Sequence, residues 1–483
     1  MYYIGIDIGT SSVKTILIDE KGKLVKSVSK EYPIFYPKPL WAEQNPEDWW
    51  KGSLKALKEL LSGVEGEKVK AISLSGQMHG LVILDEEDKI IRPAMLWNDG
   101  RTEKECAYLN EEIGRDRISQ WTGNMALTGF TAPKLLWLKN NERNNFDKIA
   151  KIMLPKDYLA YQLSGAFATD MSDASGTLYL DVKNRKWSRE MMDILEISTS
   201  QLPKLYDSFD VIGTIKKQLA DELGLSEKLK IVIGGGDQAV AAVGGGIVGE
   251  GACSVSLGTS GVVFANADKF VVDRDNRLHS FCNANGKFHV MGVTLAAAAS
   301  LKWWVESIHC SKDYDLLLKE AEDADIHKNV YFLPYLMGER TPHNDPNAKS
   351  VFMGMDMTTE RKDMTRAILE GVGFSLRDSF EIMKDMGVYI EEITINGGGA
   401  RNPFWCQIIA DILNVKVNKV NSNDGPAYGA AILAAVGDGL FSTVDEAAEA
   451  FIKKTSTIFP NKNNVEVYNQ KYKKYISIYP TIK

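Results

Sequence analysis

The chain has 483 residues, of which 44% are hydrophobic and 25% charged, with a net charge of −7 and a sequence pI of about 5.6. At roughly 100–200 residues per domain, this length exceeds a single core, so we expect two large domains. The acidic balance argues against a nucleic-acid partner, which requires a basic surface. No apolar run approaches the ~20 residues of a membrane-spanning helix, so no membrane partner is expected.

Five cysteines are spread over the chain, at positions 106, 253, 282, 310 and 406, and no CxxC pair occurs. Their odd number and wide spacing favour free thiols in a reducing cytosol over disulfides or a zinc site. The N-terminus opens directly into a strand without a basic segment, so no signal peptide is visible. We therefore expect a cytoplasmic location.

Periodicity and turn residues in the first half predict the order β-β-β-α-β, followed by further elements and a strand that leads into a helix. The first two strands form a hairpin with Gly9-Thr10-Ser11 at its bend. In chain order, the segments are the hairpin at 4–19, a strand at 26–37, a helix at 45–64, a strand at 68–76 and a strand–glycine turn–helix segment at 231–246.

The second half begins in the same way, with a hairpin at 251–267 whose bend is Gly258-Thr259-Ser260. A long helix is predicted at 358–387, and a strand, glycines and a helix at 393–413. Two halves that start alike indicate a duplicated α/β fold, with domains expected at 1–246 and 247–483. A stripe of tyrosines near the C-terminus has helical spacing, which favours core packing over a ligand-binding role; its members are Tyr468, Tyr472, Tyr475 and Tyr479.

Three glycine clusters follow predicted strands, at Gly9, at 234–236 and at 397–399. Glycine lets backbone N–H groups approach a ligand, and phosphate is the usual ligand; a tight turn is the alternative for any one cluster. Dinucleotide-binding patterns at 234–239 and 244–249 are discounted, because no following strand ends in the required acid. No GxxxxGK[ST] phosphate loop occurs.

Asp7 is the unexpected residue of the first hairpin, since a carboxylate beside a phosphate-binding turn repels phosphate unless a cation lies between them. The turn offers backbone N–H groups and the hydroxyls of Thr10 and Ser11, and Lys14 adds a positive charge. Mg²⁺, bound directly or through water, is the natural cation, whereas hydrogen bonding to the backbone is the alternative role for Asp7. In the second hairpin we expect Leu257 at the register of Asp7, so only the first carries a metal-binding acid.

Asp237 lies directly after three glycines, where a strand ends and a helix begins. Capping of the helix is the common role for an acid at this place. The small residues that follow allow close packing beneath a cleft. A carboxylate that accepts a hydroxyl proton as a phosphoryl group arrives is what a sugar kinase needs, so Asp237 is the candidate general base.

Ten segments, spread from residue 4 to near residue 405, together resemble the FGGY carbohydrate kinase family, and a further one at 424–436 resembles its last motif. The resemblance implies an actin-like (ribonuclease H-like) α/β fold, with two domains hinged about a central cleft. It places ATP against the C-terminal domain and the sugar against the N-terminal one. The segments are IGIDIGTSSVK, SGQMHG, MLWNDGRT, GFTAPKLLWL, LPKDYL, TDMSDASGT, GGGDQA, SLGTSGV, FLPYLMGERTPH and INGGGARNPFW.

The resemblance also implies roles for individual residues. Asp237 is the implied catalytic base, and Asp7 the acid that supports Mg²⁺ and the phosphates. The helix at 424–436 is expected to pack on the nucleotide domain. The expected ATP-binding residues are Thr10, Ser11, Lys14, Gly258, Thr259, Gly398, Gly399 and Asn402. The expected sugar-binding residues are Met78, His79, Gln238, Trp97 and Asp99, with core packing as the alternative for Trp97.

The expected activity is ATP-dependent phosphorylation of D-xylulose at its 5-hydroxyl. Glycerol kinases hold Arg and Glu at the places of Met78 and His79, so the resemblance favours a ketopentose. A related kinase acting on ribulose, fuculose, rhamnulose or glycerol is the first alternative, and a non-catalytic actin-like nucleotide-binding protein the second. The expected partners are a sugar and a nucleotide, with a homodimer left open.

Overall fold

The computed structural model describes residues 1–422 and 425–483, which are organised around two mixed β-sheets with shorter strand pairs beside them. The strands of the first sheet are β1 (Tyr2–Ile8), β2 (Ser12–Asp19), β3 (Leu24–Glu31), β4 (Val69–Gly76), β5 (Val211–Thr214) and β6 (Lys230–Gly236). The strands of the second sheet are β7 (Cys253–Leu257), β8 (Gly261–Ala267), β9 (His279–Cys282), β10 (Phe288–Thr294), β11 (Glu392–Asn396), β12 (Lys416–Val420) and β13 (Lys454–Ile458).

Both sheets have the same topology, which confirms the predicted duplication. The first has the order β3-β2-β1-β4-β6-β5: three antiparallel strands, then two parallel ones, then an antiparallel edge strand. The second repeats this as β10-β8-β7-β11-β12-β13, with β9 added beyond β10.

The equivalence of the two hairpins corrects one expected register. Asp7 precedes Gly9 by two residues, and the residue that precedes Gly258 by two is Ser256. Ser256, rather than Leu257, therefore aligns with Asp7, and the expected register was wrong by one residue. The conclusion that the second hairpin has no acid at this place is unchanged.

Helices pack against both sheets. Among the described residues, no helix combines the length and apolar character that a membrane-spanning segment requires. The longer helices are α1 (Pro46–Leu61), α2 (Thr131–Asn141), α3 (Pro155–Ser164), α4 (Asp237–Gly244), α5 (Arg361–Asp385), α6 (Pro403–Leu413), α7 (Gly425–Asp438) and α8 (Lys462–Ile482). Shorter helices include Arg115–Thr122, Arg189–Leu195, Lys217–Leu223, Tyr314–Glu322 and Val444–Phe451.

Helix α7 lies against the first sheet and α4, and not on the nucleotide domain as expected. A Cβ atom on Gly5 of β1 would lie 1.9 Å from the carbonyl oxygen of Ala427, and one on Gly429 would lie 1.9 Å from that of Val240. The expected position of α7 was wrong because its small residues predict that another element approaches closely but do not indicate which element that is. Asp424, which opens the predicted segment, lies outside the described residues.

Helix α8 packs on the C-terminal half through its buried tyrosines; the stripe predicted this core packing but not the half on which the helix lies. The Tyr468 hydroxyl donates a hydrogen bond to Glu370 of α5 (3.1 Å). The Tyr472 hydroxyl donates to Asp378 of the same helix (2.6 Å). The C-terminal helix therefore completes the core of the second half.

Candidate active site

The turn between β1 and β2 is held by hydrogen bonds to its backbone. The Gly9 carbonyl accepts from the hydroxyl of Tyr32 (2.5 Å), and the Thr10 carbonyl accepts from the amide of Gln44 (2.7 Å). Because these bonds engage carbonyl groups, they leave the backbone amides of Thr10 and Ser11 for other partners. Ser11 is exposed, so this side of the turn faces solvent.

Asp7 lies near the end of β1, between the two strands that pair with it. It lies opposite Lys14 on β2 and opposite Ser75 on β4. Its Oδ1 is buried and has no hydrogen-bond partner among the described residues. Burial raises the pKa of Asp7 to about 6, while Ser75 and Lys14 act to lower it. An orphaned carboxylate oxygen beside a phosphate-type turn fits a cation.

A complete protein cage for a metal is not found among the described residues, where no three His, Cys, Asp or Glu side chains are grouped as a metal site. Mg²⁺ typically keeps several waters and takes one or two carboxylates together with substrate phosphates. A single acid such as Asp7 therefore suits Mg²⁺ bound with a nucleotide better than a resident structural metal.

Asp237 begins helix α4 immediately after strand β6. Gly236 occupies the N-cap position, and no side chain caps this helix, so Asp237 does not act as the cap. Burial, followed by repulsion from Asp7, raises the pKa of Asp237 to about 7; the backbone and side chain of Gln238 act to lower it. The two acids are therefore electrostatic neighbours, and Gln238 lies beside the second of them.

The glycines before Asp237 serve close packing. They form the end of β6 and not a separate turn, contrary to the expectation. Gly234 has φ +73°, and a Cβ atom there would lie 1.7 Å from the carbonyl oxygen of Leu74 on β4. A Cβ atom on Gly236 would lie 2.9 Å from the sulfur of Met78. This cluster is covered by protein, so the expectation that it binds phosphate is not retained.

Met78 and His79 lie beside the start of α4. His79 has φ +69°, and its Nδ1 donates a hydrogen bond to the carbonyl oxygen of Gly176 (2.7 Å). Its ring stacks on Phe130, with centroids 4.6 Å apart. Burial lowers the pKa of His79 to about 3, so the ring is neutral. With the proton on Nδ1, Nε2 is an acceptor, and it makes no hydrogen bond to any described residue.

Trp97 and Asp99 have different surroundings. Trp97 is 47% exposed, and its Nε1 donates to the hydroxyl of Thr10 (3.0 Å), which places it beside the first turn and not in the core. Asp99 is buried, pairs with both Nε and Nη2 of Arg101 (2.8 and 2.6 Å) and accepts from Ala42 N (2.7 Å). These bonds use both carboxylate oxygens, so we do not retain Asp99 as a sugar ligand.

The second turn lies beside the last glycine cluster. The backbone amides of Ala297 and Ala298 donate to the carbonyls of Thr259 (2.9 Å) and Gly258 (2.8 Å). Gly397 has φ +89°, and a Cβ atom there would lie 2.9 Å from the amide nitrogen of Gly258. The structure therefore brings these two expected ATP-binding segments together.

The remaining members of that cluster differ in accessibility. A Cβ atom on Gly398 would have no described atom within 4 Å, so the face of this glycine is open. Gly399 is buried, and a Cβ atom there would lie 2.7 Å from the ring of Trp405. Asn402 caps helix α6, with its Oδ1 accepting from Trp405 N (2.9 Å). Of the three expected residues, only Gly398 has an open face; Gly399 and Asn402 have structural contacts.

Sequence reasoning missed several residues around His79. Besides Phe130, Lys134 is fully buried and donates to the carbonyls of His79 (2.8 Å) and Gly129 (2.7 Å). Burial lowers the pKa of Lys134 to about 7. Arg340, from the second half, adds a positive charge that also lowers the pKa of His79. All of these residues lie in family-like segments, but nothing in the sequence showed which side chains surround His79.

Domain models of one family match both halves of the chain. The N-terminal domain of the FGGY family of carbohydrate kinases matches residues 2–244, and its C-terminal domain matches residues 253–437. The chain belongs to the FGGY family of carbohydrate kinases.

Individual relatives are similar over almost the whole chain. It is 41% identical over 482 residues to the xylulose kinase of Bacillus subtilis (strain 168), covering 99% of this chain and 96% of that one. It is 43% identical over 437 residues to the xylulose kinase of Escherichia coli (strain K12), covering 90% of each. A solved structure described as a "xyloylose kinase" from Brucella ovis has a TM-score of 0.95 at 36% identity, covering 100% of this chain and 99% of that one.

The family membership fixes the class of fold and of activity. The protein is a carbohydrate kinase with the two-domain, actin-like α/β fold that its sequence segments predicted. Kinases of this family use ATP, so the small-molecule partners are a sugar and a nucleotide.

Proposed function

We propose that the protein transfers the γ-phosphoryl group of ATP to the 5-hydroxyl of D-xylulose, giving D-xylulose 5-phosphate and ADP. The sugar is inferred from the xylulose kinases to which the chain is similar over nearly its full length. The observation that carries the chemistry is Asp237, an acid of raised pKa one residue beyond Gly236, against which Met78 packs.

Asp237 is the general base of the proposed reaction. It accepts the proton of the sugar 5-hydroxyl while that oxygen bonds to the γ-phosphorus and the bond to the ADP oxygen breaks. A general base contributes typically ~10²–10⁴-fold to the rate. The raised pKa suits the role, because a base with a pKa near the working pH is both ionised and able to hold a proton.

His79 orients the sugar in this proposal. Because its Nδ1 carries the proton, its Nε2 can accept a hydrogen bond from a sugar hydroxyl. Met78 supplies an apolar wall, and Gln238 lies beside the base with an amide that can both donate and accept. Trp97 is held beside the first turn by its bond to Thr10, and its exposed ring is proposed to contact the sugar.

The nucleotide phosphates are assigned to the two hairpin turns. Backbone amides and hydroxyls at Thr10, Ser11 and Thr259, the amide of Gly258 and the charge of Lys14 suit an anionic ligand. The open face at Gly398 suits the adenosine side. Asp7 would hold Mg²⁺, which supplies charge neutralisation to the phosphate oxygens when bound. Positioning and electrostatic stabilisation then provide most of the remaining acceleration.

The two halves are proposed to act as separate domains, at 1–246 and 247–483, that close over the substrates. The motivation is that expected sugar and nucleotide residues fall mainly on opposite halves, and closure excludes water that would compete for the phosphoryl group. Small-angle scattering with sugar and a nonhydrolysable ATP analogue should show compaction; an unchanged radius of gyration contradicts closure. Light scattering would show whether the protein forms a homodimer.

The test of the base is Asp237→Asn, measured by ADP release with Mg·ATP and D-xylulose. We expect kcat to fall at least about a hundredfold. Asp378→Asn is the matched control, because Asp378 is also buried with a pKa of about 7 but lies in the second half, where its side chain accepts a hydrogen bond from Tyr472. Its kcat should be unchanged. Near-normal turnover of the Asp237 variant would remove Asp237 as the base.

A further inference from the structure

A cluster of buried charged residues lies close to Asp237. Its members belong to helix α3 and to the segment that follows it. Lys156 Nζ lies 2.7 Å from Asp157, 3.2 Å from Asp170 and 3.9 Å from Asp173. No member is more than 1% exposed. One lysine among three carboxylates is costly to bury unless a proton or further hydrogen bonds compensate.

The carboxylates of the cluster are compensated in different ways. Asp170 is fully bonded: one oxygen faces Lys156, and the other accepts from the hydroxyls of Ser172 (2.5 Å) and Ser208 (2.7 Å). Asp173 has no hydrogen-bond partner on either oxygen among the described residues. Burial raises the pKa of Asp173 well above its ordinary value, while Lys156 acts to lower it. Asp170 therefore links Lys156 to the two serine hydroxyls.

A chain of hydrogen bonds leads from Asp170 to the catalytic region. The Ser172 hydroxyl that donates to Asp170 also accepts from the backbone amide of Gly236 (3.1 Å), the residue immediately before Asp237. A Cβ atom on Gly235 would lie 2.6 Å from this hydroxyl oxygen, so the close approach requires glycine there. The pairing of β6 with β4 is interrupted between Val232 and Gly235 and resumes at Gly235 and Gly236, so the bond from Gly236 N to Ser172 holds the strand just beyond this irregularity.

We propose that Ser172, anchored by Asp170 and Lys156, is a positioning residue that fixes the peptide before Asp237 and thereby the direction of the catalytic carboxylate. The inference rests on the proposed role of Asp237 as the base. Groups that hold a catalytic side chain in place contribute to rate because small displacements of a reacting group lower turnover steeply. Ser172 is fully buried and its hydroxyl bonds to Asp170 and Gly236 N, so we expect its effect on kcat and not on substrate binding.

The chain offers a matched pair of variants that separates positioning from stability. Ser172→Ala and Ser208→Ala each remove one hydroxyl bonded to the same oxygen of Asp170, but only Ser172 bonds to Gly236 N. Both should lower Tm, Ser172→Ala by somewhat more because Gly236 N also loses its partner. Ser172→Ala should lower kcat roughly tenfold with KM for sugar and ATP unchanged, since one positioning bond is lost. Ser208→Ala should keep kcat within about twofold of the parent.

Asp237→Asn, assayed in parallel, distinguishes the two ways of failing. If Asp237→Asn is inactive while the two serine variants have equal kcat, the positioning role of Ser172 is refuted and the base remains. If Asp237→Asn turns over normally, the base itself is wrong and the inference falls with it. A rise in KM for the sugar in Ser172→Ala, at unchanged kcat, would also contradict positioning.

Discussion

The carboxylate of Asp237 should destabilise the folded protein at neutral and alkaline pH, so replacing it with Asn should raise stability while lowering activity. Its pKa lies at about 7 in the folded chain, against 3.8 for the ordinary side chain, chiefly through burial and then through Asp7. The folded state therefore binds more protons than the unfolded state between these two values. Stability falls as pH rises through this window, and the full penalty is present above it.

The size of this effect follows from the displaced pKa. A difference of about three pH units corresponds to about 4 kcal/mol at pH 8, since one unit is about 1.4 kcal/mol. Because Asp237 retains some exposure, we take about 2 kcal/mol as the expected gain for Asp237→Asn. In a domain of this size, that gain raises Tm by roughly 4 °C or more. At pH 5 only about a third of the penalty remains.

The assay is thermal unfolding of the parent and Asp237→Asn at pH 5 and pH 8, without sugar, nucleotide or divalent cation. The variant should be more stable at pH 8, and its advantage should shrink at pH 5. Asp378→Asn should show the same pH pattern with normal turnover, since its pKa is raised to about 7, first by burial. A variant that is no more stable than the parent at pH 8, or equally stabilised at both pH values, would refute the reasoning.

Three further predictions concern the sugar, the pH profile and the backbone. His79→Asn should raise KM for the sugar roughly tenfold, because it removes the Nε2 acceptor, and should leave KM for ATP unchanged. Asn is chosen because it tolerates the φ of +69° at this position. An equal change in both KM values would contradict a role in sugar binding. The value of kcat/KM should fall about tenfold per pH unit below about pH 7, where Asp237 becomes protonated, and a flat profile down to pH 5 would exclude it as the base. Gly234→Ala should unfold the protein or cost well above the ~1–2 kcal/mol of a positive φ alone, because its Cβ would meet Leu74 at 1.7 Å. Gly63→Ala is its control, since Gly63 has φ +80° and a Cβ atom there would have no described atom within 4 Å. Equal losses of stability in chemical denaturation would show that the clash at Gly234 is relieved.

Elements specified by local chemistry could be predicted from the sequence. Helix α1 begins as expected, with Asn45 accepting from Glu47 N (3.1 Å), and the predicted long helix at 358–387 is α5 (Arg361–Asp385). Elements whose position depends on distant partners could not. The small residues of α7 predicted close packing, but its partner, Gly5 of β1, is more than 400 residues away in the chain.

The site shows the same division. Asp7 and Asp237 were predicted as site residues because an acid inside an apolar strand, or directly after a strand and three glycines, is unusual, and the structure brings the two acids close enough to interact. Asp99 was assigned to the sugar because the sequence does not show that Arg101 and Ala42 N use its oxygens. Ser172 carried no signal of its own, since a serine near an aspartate is common, and its bond to Gly236 N exists only in the folded chain.

The most direct test of the central claim is ADP release from Mg·ATP with D-xylulose, beside ribulose, fuculose, rhamnulose, glycerol and no sugar. Strong turnover that is selective for D-xylulose is the predicted result. Selective turnover of another sugar would keep the kinase and the base but contradict the assignment of the substrate. Nucleotide binding without sugar-dependent ADP release for any of these sugars would contradict the account.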